Sequence, residues 1–314
     1  MRSLLDRFAE ARSTVAFVDD GRSVTYGEVV DRVGDYSALL ERRGVRRGDV
    51  VVAVADYSPE MFCFILALAL NGNVLAPLTH DSVVERESVM EIAEAAWFVS
   101  FTAALEEIGF EATGVSVSSP LTRRLTDAGQ PGLLLFSSGS TGKPKGILHD
   151  FERVASKFAE PRKAVTAITF LMLDHFGGIN TLLAITSSLG TVVTVRDRSV
   201  ASICRTISEH GVELLPTTPS FLNMLVRSGA HSQFDLGSLR TITYGTEVMP
   251  EPTLERLRAI FPGVKLQQTY GLSELGVLRS KSRDDGSLWV RIGGEGFETR
   301  VVDGILWIKS DYAM

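Results

Sequence analysis

Residues 137–149 bring together the groups that a polyphosphate needs. Ser137, Ser138, Gly139, Ser140, Thr141 and Gly142 combine four hydroxyls with glycines whose backbone N–H groups a ligand can approach closely, and the cations Lys143 and Lys145 follow. The two lysines stand out, because only seven of the 32 basic residues are lysine and none precedes position 143. A P-loop is excluded. Ser137 stands where its first glycine should be, and Pro144 where its magnesium-binding Ser or Thr should be. The stretch therefore reads as a phosphate cradle of another kind.

Three further groups of residues could do chemistry. His175, in Asp174-His175-Phe176-Gly177-Gly178, follows a β-branched apolar run. It is expected at a strand's carboxyl end, where open α/β sheets bind ligands, with the two glycines leaving an opening. A lone histidine elsewhere would be read as a structural hydrogen-bonding residue. The strand Thr241-Ile242-Thr243-Tyr244 ends in Gly245-Thr246-Glu247, and a strand end without a side chain lets a flat ring lie against the backbone. Tyr270-Gly271-Leu272-Ser273-Glu274 offers a ring to stack on a purine, a close backbone approach, a hydroxyl for phosphate and one carboxylate. One carboxylate opposite a phosphate loop is a sufficient protein contribution to a magnesium site.

The elements that must position these groups alternate strand and helix, which predicts parallel sheets covered by helices. Two strands around Asp20-Gly21 form a hairpin, Thr25 and Glu28 make a capping box for a helix to Arg43, and Gly44 stops it. A strand over 49–55, a helix from the cap Ser58 to Leu70 and a strand over 74–78 follow. Next come a helix over 85–95, a strand over 97–101 and a polar, irregular connection over 102–130. Leu133 to Phe136 is a fully buried strand feeding the phosphate loop. Beyond the loop the pattern predicts a helix over 150–158, a strand over 166–173, a helix from about 180 to 189, a strand over 192–195 and a helix over 200–210. A strand over 213–216, a helix over 219–228, a helix over 251–260 and a strand over 265–269 complete it.

Composition sets bounds. The 314 residues, 45% hydrophobic and 22% charged, are enough for about two globular units at ~150 residues each. A net charge of −6 argues against a nucleic-acid or anionic-membrane surface. Cys63 and Cys204 lie in apolar settings without metal or disulfide spacing, so a reducing cytoplasm is the expected compartment. The longest apolar stretch, 61–70, is too short for a membrane span.

Residues 137–146 resemble, throughout, the phosphate-binding signature Ser/Thr-Ser-Gly-Ser/Thr-Thr-Gly-x-Pro-Lys-Gly of the adenylate-forming superfamily, which holds acyl-CoA ligases, luciferases and the adenylation domains of peptide synthetases. Tyr270–Glu274 resembles its Tyr-Gly-x-Thr-Glu motif, with Ser273 for the usual Thr. Residues 241–247 resemble its adenine-pocket strand, and the spacing of His175 and Gly178 resembles the acyl-gating motif of the CoA ligases. In the family's early segment, Tyr57 replaces an Asn at a place expected to lie away from the chemistry.

The resemblance implies an α/β fold of layered, mostly parallel sheets flanked by helices, with a smaller β region near the C-terminus. It implies a large ATP- and acyl-binding body over 1–289 and the start of a small β subdomain at 290–314. The family's C-terminal lid, with its catalytic lysine, is not among these residues. It further implies ATP, Mg²⁺ and CoA as partners in acid activation, with Ser137, Ser138, Gly139, Ser140, Thr141, Gly142 and Lys145 on the phosphates. Gly245, Thr246, Glu247, Thr269, Tyr270, Gly271, Leu272 and Ser273 would hold the nucleotide, and Glu274 the metal. His175, Gly178, Thr218, Tyr244 and Gly271 would line the acyl pocket, and His175, Lys145 and Glu274 would serve catalysis. Two rivals stay open: an amino-acid adenylation domain, in which Asp174 would hold the amino group, and a non-catalytic acyl-adenylate-binding protein. A small domain or protein acting in trans would complete the first-named reading.

Overall fold

The structure, a computed structural model, describes residues 1–80, 82, 86–102, 108–138, 144–283, 287–294 and 296–311. It begins with α1 (Arg2–Glu10) and a hairpin of β1 (Val15–Asp19) and β2 (Arg22–Thr25). The turn residues Asp20 and Gly21 both have positive φ, 49° and 75°, the pattern that matches the twist of paired strands. Thr25 and Glu28 close the expected capping box on α2 (Tyr26–Arg43), and Gly44 ends it in the left-handed region.

The next elements are β3 (Val50–Val54), α3 (Pro59–Asn71), β4 (Val74–Leu78), α4 (Arg86–Ala93), β5 (Trp97–Phe101), β6 (Ile108–Ala112), α5 (Pro120–Asp127), β7 (Gly132–Ser138) and β8 (Pro144–Asp150). They build a six-stranded sheet in the order β6-β5-β3-β4-β7-β8, parallel in its four central strands and antiparallel at both edges. The chain then runs through α6 (Phe151–Ser156), β9 (Thr166–Ile168), α7 (Phe176–Thr186), β10 (Thr191–Val193), α8 (Val200–His210), β11 (Leu214–Thr217), α9 (Pro219–Ser228), β12 (Thr241–Tyr244), α10 (Glu251–Ile260) and β13 (Lys265–Gln268). These strands join the N-terminal hairpin in a seven-stranded sheet, β13-β12-β11-β9-β10-β1-β2, in which β2 alone is antiparallel. Two smaller antiparallel units follow: β14 (Tyr270–Leu272) with β15 (Gly276–Ser282) and β16 (Val290–Gly293), then β17 (Phe297–Val302) with β18 (Ile305–Ser310). The α/β class of layered parallel sheets with a small β region is the one observed.

Helix α3 explains why the two large sheets form one body. Pro59 and every residue from Met61 to Ala69 are buried, so the helix has no polar face to turn to water. Phe62 packs on Phe17 of the seven-stranded sheet and Phe64 on Phe101 of the six-stranded sheet, both with ring centroids 5.3 Å apart. Burying each such ring contributes about 2–3 kcal/mol.

Four sequence expectations are corrected. The supposedly irregular 102–130 stretch contains edge strand β6 and helix α5. β6 alternates Ile108, Phe110 and Ala112 with Gly109 and Glu111 and pairs antiparallel with β5, with Ile108 and Phe110 packed against the core. Residues 144–149, read as the end of a loop, form strand β8 along β7. Pro144 is tolerated there because β8 lies at the sheet edge, where a missing N–H breaks no ladder. The strand expected over 166–173 ends at Ile168. Finally, α7 begins at Phe176, so Gly177 and Gly178 lie in its first turn. Gly177 lines a cavity, whereas Gly178 leaves no opening, since a Cβ on it would stand 2.0 Å from the Met172 carbonyl oxygen and 2.6 Å from the Tyr57 hydroxyl. The glycine lets the helix start close against its neighbours.

Candidate active site

Strands β11, β12 and β13 end together at Thr217, Tyr244 and Gln268, and α7 starts at the same edge with His175 as its N-cap residue. This is the carboxyl edge at which open parallel sheets bind ligands. A cavity of about 580 Å³ opens there and runs back beneath α7, with β14 and β15 along its side. Its lining brings together His175, Gly245, Thr246, Thr269, Tyr270, Gly271, Leu272 and Ser273. Three sequence segments separated by up to a hundred positions thus meet at one opening.

His175 does not stand alone. Its Nδ1–H donates to Asp174 Oδ1 at 2.9 Å, while Asp174 Oδ2 accepts from the Ser82 hydroxyl and, at 3.4 Å, from the Thr79 hydroxyl. This fixes the imidazole tautomer and leaves Nε2 for the cavity. The bond to Asp174 outweighs partial burial and raises the His175 pKa. Burial pushes the Asp174 pKa up, but the bonds from His175 and Ser82 outweigh it and hold the carboxyl below its ordinary range. Tyr57, expected away from the chemistry, lies against Gly178 and within electrostatic reach of Asp174.

A second histidine, which the sequence did not single out, ties the phosphate hairpin to the 270–274 pentad. His149, buried in β8, donates from Nε2 to the Ser273 carbonyl at 2.7 Å and packs edge-on against Phe176, 5.0 Å between centroids. Burial lowers its pKa despite that hydrogen bond and the nearby Glu274, with Lys157 acting in the same direction as burial. Phe176 in turn occupies the space where Gly276 would carry a Cβ, 2.4 Å from the ring. No sequence signal marked His149, because a histidine at the end of an apolar strand reads as an ordinary core residue.

Backbone geometry supplies the remaining order. Thr246 has φ 69°, a costly conformation for a β-branched residue and one that clusters at functional sites. A Cβ on Gly245 would meet Thr269 Oγ1 at 2.4 Å, so its glycine is required by the neighbouring chain. A Cβ on Gly271 would crowd the Gly276 carbonyl of the facing strand at 2.9 Å.

The other expected residues are placed as follows. Ser137 and Lys145 pair across β7 and β8 at the base of the phosphate hairpin, Lys145 exposed, and Ser138 ends β7 opposite Pro144. Gly139, Ser140, Thr141, Gly142 and Lys143 lie outside the described residues. Thr218 caps α9 by accepting from the Phe221 N–H at 3.2 Å, and Tyr244 is buried in the core beneath α8 to α10. Neither of these, nor Gly178, lines the cavity. Glu247 is exposed and accepts from the Ser220 N–H. Glu274 is exposed between β14 and β15, and among the described residues no three metal-ligating side chains converge. A single carboxylate fits magnesium that takes its other ligands from phosphates and water.

A 4-coumarate–CoA ligase-like protein of Oryza sativa subsp. japonica is 25% identical over 305 residues, 86% of this chain and 55% of its own. The phenyloxazoline synthase MbtB of a Mycobacterium species (strain MCS) is 26% identical over 290 residues, covering 86% of this chain and 24% of its own. The chain thus spans about half, or less, of the length of these relatives. Among solved structures, the N-terminal subdomain of Klebsiella oxytoca NpsA, in complex with anthranilyl-AMSN, superposes with a TM-score of 0.79 at 17% identity, covering 100% of this chain and 87% of that one, and shows the same fold. Residues 5–303 match the AMP-binding enzyme family, and the chain belongs to it.

Proposed function

We propose that this chain binds ATP and a carboxylic acid and holds the acyl-adenylate formed from them, as the nucleotide- and acyl-binding body of an acid–thiol ligase with CoA as acceptor. The carrying observation is the convergence of His175, Gly245, Thr246 and Thr269 to Ser273 on one cavity at the carboxyl edge of a parallel sheet. In this reading a carboxylate oxygen attacks the α-phosphorus of ATP, the bond to the pyrophosphate oxygen breaks, and a mixed acyl–phosphate anhydride remains. A thiol then attacks the acyl carbon and AMP leaves. Lys145 and the 137–142 segment hold the departing phosphates, and Glu274 with those phosphates would hold Mg²⁺, which supplies charge neutralisation. Residues 1–289 form the large body and 290–314 the start of a further β unit.

A plain acid is favoured over an amino acid by where Asp174 sits. Its carboxylate is committed to His175, Ser82 and Thr79, and among the described residues no Asp or Glu lines the cavity to receive an ammonium group. Such enzymes depend on positioning and electrostatic stabilisation of transferred phosphorus. Groups acting mainly in the transition state affect turnover more than affinity. The test pairs calorimetric binding of MgATP and of a non-hydrolysable acyl-adenylate analogue with pyrophosphate release. Tight analogue binding, and at least a tenfold weaker MgATP affinity for Lys145→Ala, are expected. Absence of analogue binding would refute the reading. Binding with no pyrophosphate release under any acid would leave the non-catalytic alternative.

A further inference from the structure

The cavity's charge is one-sided. Lys157, Arg162, Lys265 and His175 line it, and among the described residues no carboxylate does. Lys157 is engaged, donating to the Val277 carbonyl at 2.9 Å beside the rings of Phe176 and Phe297. Arg162 and Lys265 are different: both are exposed, and neither guanidinium nor ammonium meets an acid among the described residues.

Their position along the cavity follows from strand direction. The parallel strands β11, β12 and β13 all end at the nucleotide edge, so Lys265, the first residue of β13, stands at the opposite end from Thr269. Four residues of extended chain separate the two, roughly 13 Å at ~3.3 Å per residue. Arg162 reaches the same end by another route. Its backbone N–H donates to Ser188 Oγ at 3.0 Å, just beyond the C-terminal end of α7, whose N-terminal end carries His175.

The wall carries polar groups among apolar ones such as Leu171, Ile185, Leu214 and Leu278. Thr243 and Gln267 are register partners across β12 and β13. Thr217, only 2% exposed, has an Oγ1 without a hydrogen-bond partner among the described residues.

The geometry points to a distal oxyanion subsite, formed by Arg162 and Lys265, that selects acids carrying a second carboxylate at the end remote from the one activated. This rests on the acyl-adenylate reading above and names its substrate class. The span requires a chain or ring system between the two acid groups, which excludes diacids with a single intervening carbon. A plain alkyl tail would set apolar surface between two cations.

The experiment uses two non-hydrolysable acyl-adenylate analogues of equal length, one ending in methyl and one in carboxylate, titrated calorimetrically into the 314-residue chain. The carboxylate-ended analogue is expected to bind about tenfold more tightly, since a charge-assisted bond is worth about 1.5–3 kcal/mol and exposure reduces it. Arg162→Met and Lys265→Met, both at exposed positions, should each weaken that analogue three- to tenfold and leave the methyl-ended one unchanged. Added salt should erode the preference. Equal affinity of the wild-type chain for both analogues, or equal losses for both in the variants, overturns the subsite while the adenylate reading stands. Binding of neither analogue overturns the adenylate reading and the subsite with it.

Discussion

The pairing of His175 with Asp174 gives the candidate site a defined response to pH. The imidazole ring is 70% exposed, so its coupling to Asp174 is screened and is best followed by titration and not by stability. The sign is clear. The folded His175 pKa lies above the free value of ~6.5, so its contribution is complete below that pH and is lost as pH rises through the folded value. The folded Asp174 pKa lies below its free value of ~3.9, so its contribution is complete above that pH and is lost as pH falls through the folded value. The charged pair therefore prevails between these limits. Asp174→Asn is expected to lower the His175 midpoint, measured by NMR titration of the imidazole protons, and to weaken analogue binding by loosening the ring. An unchanged midpoint would mean that the 2.9 Å contact does not hold the proton in solution.

At the scale of elements, the site depends on how the β7–β8 hairpin is joined to the β14–β15 hairpin. His149 is that joint, because its ring is inserted between Ser273 and Phe176. His149→Ala removes the donor to the Ser273 carbonyl and opens space beside Phe176. A loss of about 2–4 kcal/mol in unfolding free energy is expected, from an unpaired carbonyl and a cavity. Denaturant unfolding measures it. The His149 pKa is lowered, so the neutral ring's contribution is complete above ~6.5 and is lost as pH falls through the folded value. The wild-type chain should accordingly lose stability on acidification in this range, and His149→Ala should lose less. A variant as acid-sensitive as the wild type would place the effect elsewhere.

At the scale of the molecule, stability is uneven. The two large sheets are joined through α3, whereas the β17–β18 hairpin is nearly bare: Val301, Ile305 and Trp307 are 69%, 62% and 54% exposed. A two-stranded hairpin is marginal by itself in water. Phe297, buried beside Lys157, is its firmest anchor. Amide hydrogen exchange should therefore be fast over 298–310 and slow over 50–54 and 61–69, where opening requires disruption of the shared core. Comparable protection in both regions would show that the hairpin is held by something other than its own pairing.

Much of this protein was legible in its residue order because local physics decides those parts. Asp20-Gly21 can only turn, Thr25 with Glu28 caps wherever a helix follows, and Val74–Leu78 is too apolar to be anywhere but inside. The groups proposed for phosphate and nucleotide were marked by residue type, since few sequences combine hydroxyls, glycines and lysine at such spacing. The tertiary structure decided what depends on partners distant in sequence. β8 is an edge strand whose ladder with β7, and not its composition, makes it a strand. Gly178 reads as an opening until Met172 and Tyr57 are seen to fill the space beside it. Thr218 and Tyr244 have the right chemistry for a pocket, yet a helix cap and a core claim them. Asp174, His149, Arg162 and Lys265 gained their candidate roles only from position, because a side chain's charge is written in the sequence but the group it faces is set by packing.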